Sequence, residues 1–139
     1  MGLIYATIDL INAEDMLLAK RNIIGTDEIK QMAVNALVDT GAYMLCINEN
    51  IQGQLQLPLL EKRKGQLANG EIAEYNIVGP IELKFKNRRT ICNAMVLPGD
   101  NEVLLGAIPM EDMDVLIHPQ RQELIVNPEH PYFAQMKLK

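Results

Sequence analysis

Apolar and polar residues alternate from the start of the chain. Between Leu3 and Leu10, the residues Ile4, Ala6, Ile8 and Leu10 share one face, which predicts a half-buried strand. Asn12-Ala13-Glu14-Asp15 reads as a turn or a helix cap. Met16 to Asn22 is open between a short helix and a strand, and Gly25-Thr26-Asp27 marks a turn. Glu28 to Val38 is a second extended run, ending in apolar Ala36-Leu37-Val38, and Tyr43 to Ile47 predicts a further short strand. Ile51 to Leu60 is less regular and fits a short helix ending before Pro58, followed by a loop. Asn69-Gly70, inside Gly65 to Ile72, is a two-residue hairpin signal, because both turn positions tolerate positive φ.

The second half continues in the same manner. Ile72 to Val78 extends the hairpin, Gly79-Pro80 interrupts it, and Ile81 to Phe85 alternates cleanly. Lys86 to Arg89 is a polar turn, Thr90 to Leu97 a strand, and Pro98 to Asn101 a turn. Val103-Leu104-Leu105 predicts a short buried strand ending at Gly106. A short helix follows over Pro109 to Asp114, with proline in its first turn. Val115 to Ile117 and Glu123 to Val126 close a hairpin around His118-Pro119-Gln120-Arg121, and the last ten residues are either a loose tail or a docked strand. Many short strands with closely spaced turns predict an all-β fold, a small barrel or sandwich.

Composition narrows this picture. A chain of 139 residues suits a single domain, 1–139. Hydrophobic residues make up 48%, enough for a core, but aromatics are 4% with no Trp, so the core must be aliphatic, with Met as filler. The net charge of -5 and the absence of a basic stripe with interleaved aromatics argue against a nucleic-acid partner. Glu61-Lys62-Arg63-Lys64 reads as a solvated loop. Met1 to Tyr5 lacks a basic region before an apolar run, and no segment resembles a membrane span. A soluble, cytoplasmic protein without a membrane partner is therefore expected. Cys46 and Cys92, each among apolar neighbours, are expected as buried thiols rather than a disulfide.

The residues that carry chemistry are Ala36-Leu37-Val38-Asp39-Thr40-Gly41-Ala42. A carboxylate directly after a buried strand end stands at the edge of the core. Thr40 can set its hydroxyl against backbone or against its twin across an interface. Gly41 lets a backbone N–H reach the carboxylate, which helps to fix a catalytic acid. The plain alternative is an ordinary Asp-Thr-Gly turn. Other constellations are thin. His118 and His130 lie near Asp112, Asp114 and Glu129 without metal-ligand spacing, so surface histidines and no metal are expected. The chain has no Ser, neither Cys has a cationic setting that would lower its pKa, and no Gly loop suits a phosphate.

From about Ala36 to Pro128 the sequence resembles the retropepsin-like aspartic proteases, the family of the retroviral proteases, and within it the bacterial single-domain members. Leu37-Val38-Asp39-Thr40-Gly41-Ala42 matches the family's apolar-apolar-Asp-Thr-Gly-Ala. Gly65 to Ala73, with Asn69-Gly70 near its tip, lies where the family has its flap hairpin. Val103-Leu104-Leu105-Gly106 before a short helix matches the segment that packs beneath the active-site loop. Two departures are visible. Many relatives carry Asp two residues after the late Gly, where this chain has Ile108. Family flaps often carry several glycines or a substrate-facing aromatic, whereas here Leu67, Ala68 and Ile72 occupy that region and Tyr75 lies further along.

The resemblance implies a small closed acid-protease barrel with a flap hairpin and one short helix in the C-terminal half. It also implies a role for each matching residue. Asp39 would be catalytic, with Thr40, Gly41 and Ala42 supporting the active-site loop. Leu67, Ala68, Asn69, Gly70 and Ile72 would contact substrate from the flap. Leu105 and Gly106 would pack below. Because Asp-Thr-Gly occurs once, the resemblance implies a symmetric homodimer with Asp39 facing its mate. Two carboxylates that close cannot both ionise, so the pair holds one proton, and the charged member activates a water against a peptide carbonyl. No cofactor is required. A non-catalytic peptide-binding or dimerisation module of the same fold is the alternative.

Overall fold

The computed structural model describes residues 2–138. The alternation at the start of the chain becomes strand β1 (Tyr5–Asn12), whose buried face carries Ala6, Ile8 and Leu10. Its last residue, Asn12, caps helix α1 (Ala13–Lys20), accepting the Asp15 N–H on its side-chain oxygen at 3.1 Å. This resolves the open reading of Met16 to Asn22 in favour of helix through Lys20. A 3-10 turn at Thr26–Glu28 leads into β2 (Gln31–Val38), antiparallel to β1 from Tyr5↔Leu37 to Ile11↔Gln31. The same device recurs next. Asn48, the last residue of β3 (Leu45–Asn48), caps α2 (Glu49–Leu55) by accepting the Ile51 N–H at 2.9 Å. The two capping units are tied to other parts of the fold, since the Asn12 amide donates to Leu55 O and the Asn48 amide to Asn101 O, both at 2.9 Å.

Beyond α2 the expected loop is in fact strand. Residues from Leu59 onward form β4 (Leu59–Gln66), and the charged run Glu61 to Lys64 lies within it. Nearly every residue of β4 is exposed, because it is an edge strand paired on one side only. Charge suits such a strand: it discourages pairing with a foreign edge and costs no desolvation. The turn to β5 (Ile72–Phe85) also differs from the two-residue form. Leu67 N–H donates to Glu71 O and Gly70 N–H to Leu67 O, so Ala68-Asn69-Gly70 form the loop. Gly70 has φ +90, while Asn69 is not among the positive-φ residues and uses its side chain to accept the Glu71 N–H. One left-handed residue after a tight turn is the three-residue hairpin solution.

β5 does two jobs. Its first half pairs with β4 as a projecting hairpin, and its second half pairs with β1 from Asp9↔Lys84 to Asn12↔Ile81. Between them the register against β6 (Arg88–Leu97) slips by one residue, from Val78↔Ala94 to Ile81↔Cys92, and this bulge re-aims the strand. β6 runs parallel to β3, and the short β7 (Leu104–Leu105) sits between β3 and β2. The order β1-β2-β7-β3-β6-β5, with β5 returning to β1, closes a ring. Inside it lie Ile8, Leu10, Leu45, Ile47, Ile81, Leu83 and Leu105, all essentially inaccessible. Each contributes about 1.5–3 kcal/mol by burial. Thus the mostly-β barrel holds as expected, with two helices besides α3 (Ala107–Met113) in the C-terminal half. α3 begins two residues before the expected Pro109. Among the described residues, no helix is long and apolar enough to cross a membrane.

The segment after β7 braces the loop that follows β2. Ala107 N–H donates to Ala42 O at 2.9 Å and Ile108 N–H to Tyr43 O at 3.0 Å. Two chain segments can approach this closely because residue 106 has no side chain. A Cβ there would lie 2.4 Å from Met44 O and 2.9 Å from Ala42 O.

β8 (Val115–His118) and β9 (Glu123–Val126) form the expected hairpin. Residues 130–135 are docked on the body without forming a strand. Asn87 donates to Pro131 O at 2.9 Å, and the buried Arg88 donates to His130 O. Asp114, at φ +56 where α3 ends, gathers the rest: Asn127 donates to its Oδ1 at 3.0 Å, and His130 Nδ1 (2.6 Å) and Gln135 N–H (3.0 Å) meet its Oδ2. His130, partly exposed, is therefore engaged with Asp114 rather than a free surface histidine.

Two outcomes follow from these contacts. Gly106→Ala forces backbone against backbone, and should lower unfolding free energy by about 1–3 kcal/mol or more in urea titrations; a change below about 0.5 kcal/mol would contradict the crossing. Burial tends to raise the Asp114 pKa, but the Asn127, Gln135 and His130 contacts outweigh it and hold the pKa below the ordinary value. Its stabilisation is then fully present above the unfolded-state pKa of about 3.9 and is lost as pH falls through the folded value. Asp114→Asn tolerates the same left-handed backbone. The stability gap between parent and variant should be largest near neutral pH and should narrow below about pH 4. A gap that stays constant down to pH 3 would show that the charge is not what holds the tail.

Candidate active site

Asp39 follows the last residue of β2, half-buried at the barrel's rim. Its backbone is fixed on both sides by strand bonds. Val38 N–H donates to Ile4 O at 2.8 Å, Leu37 N–H to Val103 O at 2.8 Å, and Asp39 N–H to Leu105 O at 3.0 Å. The chain then turns, with Ala42 N–H donating to Asp39 O at 3.1 Å. Inside that turn Gly41 N–H donates to Asp39 Oδ1 at 2.9 Å. The carboxylate is thereby oriented by a backbone donor through one oxygen, and Oδ2 is left out of that contact. A side chain at 41 would start 3.1 Å from the same oxygen.

Asp39 opens on a cleft of about 590 Å³. Gly41 and Ala42 of the expected loop line it, as do Leu67 and Ala68 of the hairpin. The other hairpin candidates lie elsewhere: Asn69 and Gly70 form the exposed tip, and Ile72 points largely into solvent at 67% exposure. Thr40 is exposed and borders a separate groove of about 410 Å³ with Met110, Val115, Leu116 and Ile117. Leu105 is fully buried and Gly106 lies under the loop.

Sequence reasoning missed most of the wall. Met44, Cys46, Met95, Leu97 and Leu104 supply apolar surface, and Tyr75 with Arg63 and Lys64 approaches from the hairpin. Periodicity could not reveal this, because which face of β4 and β5 meets the cleft is set by the register of the hairpin and the bulge below it.

The other candidate groups weighed above, the two cysteines, Asp112, Asp114 and His118, do not compete with Asp39. Burial, and then the Asp39 charge, push the Cys46 thiol up to about 11. Burial, and then Asp112, push Cys92 up to about 12. Both stay protonated at neutral pH, which removes them as nucleophiles. Both are free, as expected, although Cys92 is only partly buried. Asp112 accepts the Thr90 hydroxyl at 2.6 Å, and Asp114 holds the tail, so neither carboxylate belongs to the cleft. His118 Nδ1 accepts the Arg121 N–H at 3.1 Å.

A half-buried Asp in an Asp-Thr-Gly turn, braced from below and facing a cleft under a hairpin, is an arrangement suited to acid–base chemistry on an extended chain. Comparison with known proteins agrees with this geometry. Residues 26–112 match the family described as gag-polyprotein putative aspartyl protease. None of the curated proteins searched matches the chain. The family match spans more than half of the sequence and contains the Asp39 loop, the hairpin and the Gly106 crossing, and the chain belongs to the retropepsin-like aspartyl protease family.

Proposed function

We propose that this protein is a homodimeric aspartic endopeptidase, a single domain over residues 1–139, in which Asp39 of each protomer contributes one carboxylate to a shared site. The observation that carries the reading is the Asp39 loop itself: its backbone is locked to β7 and its carboxylate oriented by Gly41, at the floor of a cleft covered by the hairpin. One chain supplies one such loop. A second copy completes the pair and gives cover to apolar groups that a monomer leaves in water. Those groups include Leu116 beside the Thr40 groove, and Tyr132, Phe133, Met136 and Leu138, each more than half exposed, in the tail.

In this reading the pair shares one proton. The ionised Asp39 takes a proton from a water, whose oxygen adds to the scissile carbonyl carbon. The protonated Asp39 gives its proton to the carbonyl oxygen. Collapse of the resulting diol breaks the C–N bond, with a proton passing to the leaving amine. Thr40, Gly41 and Ala42 hold the loop, and Leu67 and Ala68 press on the substrate from above, near the tip formed by Asn69 and Gly70.

Asp39→Asn removes the acid–base function and little volume. Turnover of a peptide library should fall by roughly 10²–10⁴-fold while the thermal midpoint stays close to that of the parent. Equal cleavage by parent and variant would rule out Asp39. Peptide binding without turnover by both would favour the non-catalytic module instead.

A further inference from the structure

The hairpin carries a cation whose placement the chemistry at Asp39 does not use. Arg63 lies on β4 opposite Tyr75 of β5. Gly65 is two residues on and therefore on the same face. A Cβ at Gly65 would reach 3.1 Å from the Tyr75 ring and 3.5 Å from Met95 Cε. Both of those residues line the cleft, so this face of β4 is the one that looks into it. Arg63 also borders a second, adjoining cavity of about 210 Å³ with Tyr43, Met44 and Pro109. It thus stands at the partition between the cleft that holds Asp39 and the pocket beside it.

The guanidinium, 59% exposed, pairs with Glu61 of its own strand. Nε donates to Glu61 Oε1 at 2.9 Å, and Nη2 lies 2.6 Å from the same oxygen. A guanidinium has five N–H donors in a fixed fork, so this contact leaves the Nη1 hydrogens and one on Nη2 for a ligand. A second carboxylate is the group that fits such an edge, through two parallel hydrogen bonds. Lys64 also lines the cleft. Its ladder partner Glu74 is paired with Lys62 at 3.8 Å, and Lys64 makes no ion pair among the described residues. Lys64 lies between Arg63 and Gly65, however, so its side chain belongs to the other face of β4, and Arg63 is the cation on the cleft-facing side; the rest of the wall is largely apolar: Ala42, Leu67, Met95, Leu97 and Leu104.

We propose that Arg63, oriented by Glu61, is a specificity-determining residue that takes an acidic side chain of the substrate. The preferred substrate is then an extended peptide with apolar residues at the scissile bond and a Glu or Asp a short distance along. The turnover part of this proposal rests on the endopeptidase reading, and the binding part stands without it.

The test is an acid scan. Peptides with a central apolar pair and Gln at all flanking positions receive a single Glu or a single Lys at each position in turn. kcat/KM is measured on the parent, and Kd on Asp39→Asn. At one or two positions Glu should be favoured over Lys by about twofold to fivefold at low ionic strength, as for exposed ion pairs. That preference should shrink in high salt. Arg63→Glu should reverse it, and Arg63→Met, for use where the reversal impairs folding, should reduce it towards unity. The ratio of two peptides on one variant is insensitive to a general loss of active protein. Equal ratios at every position, or a Glu preference that survives Arg63→Glu, would overturn the proposal and leave the endopeptidase intact. If the parent cuts no peptide, the endopeptidase reading fails and the Kd ratios decide alone: a Glu preference lost in Arg63→Glu supports the acidic subsite, and its absence, or no binding of any peptide, overturns it.

Discussion

The backbone crossing at Gly106 is the constraint on which the rest depends. Asp39 N–H is bonded to Leu105 O, and one residue later the chain passes under the loop so closely that Ala42 and Tyr43 carbonyls accept the first N–H groups of α3. No residue with a side chain fits there without moving backbone. This single contact joins β2, β7, the Asp39 loop and α3 into one unit. It explains how a carboxylate at the rim of a small aliphatic barrel is held in a defined orientation, which acid–base chemistry requires. The barrel contributes the anchor, because β7 is pinned between β2 and β3 in the middle of the ring.

The other half of the site is built on the opposite principle. The hairpin of β4 and β5 leaves the ring at the bulge after Val78, and β4 has no neighbour on its outer edge. It contributes little to the core, so its residues are free to meet solvent and ligand. Charged side chains there protect the edge and, on the inner face, set Arg63 over the cleft. In the proposed endopeptidase, a rigid carboxylate below would carry the chemistry and a lightly supported strand above the choice of substrate.

The sequence showed the parts of the molecule whose local pattern coincides with their environment. Ile4, Ala6, Ile8 and Leu10 alternate because β1 has one buried face, and Val103 to Gly106 is apolar because it is a wall strand paired on both sides, with Val103 and Leu105 in the core. The Asp-Thr-Gly turn was legible because its residue types are dictated by the loop's geometry. β4 was not, because an edge strand exposed on both faces has no alternation, and Glu61 to Lys64 carried the appearance of a loop. The Asn69-Gly70 turn was placed correctly but given the wrong form, since the Asn69 side chain supplies locally what a second left-handed residue would have supplied. The His130 contact with Asp114 and the Tyr75 and Arg63 contribution to the cleft depend on contacts between distant segments, and no short window of sequence contains them.

The central claim is that one active site needs Asp39 from two chains, and subunit mixing tests it most directly. Parent and Asp39→Asn are combined at constant total protein, with exchange of subunits confirmed separately. If both carboxylates are required, active dimers scale as the square of the parent fraction, and an equal mixture keeps about a quarter of full activity. An activity that falls in direct proportion to the parent fraction, with about half remaining in the equal mixture, would contradict the shared site.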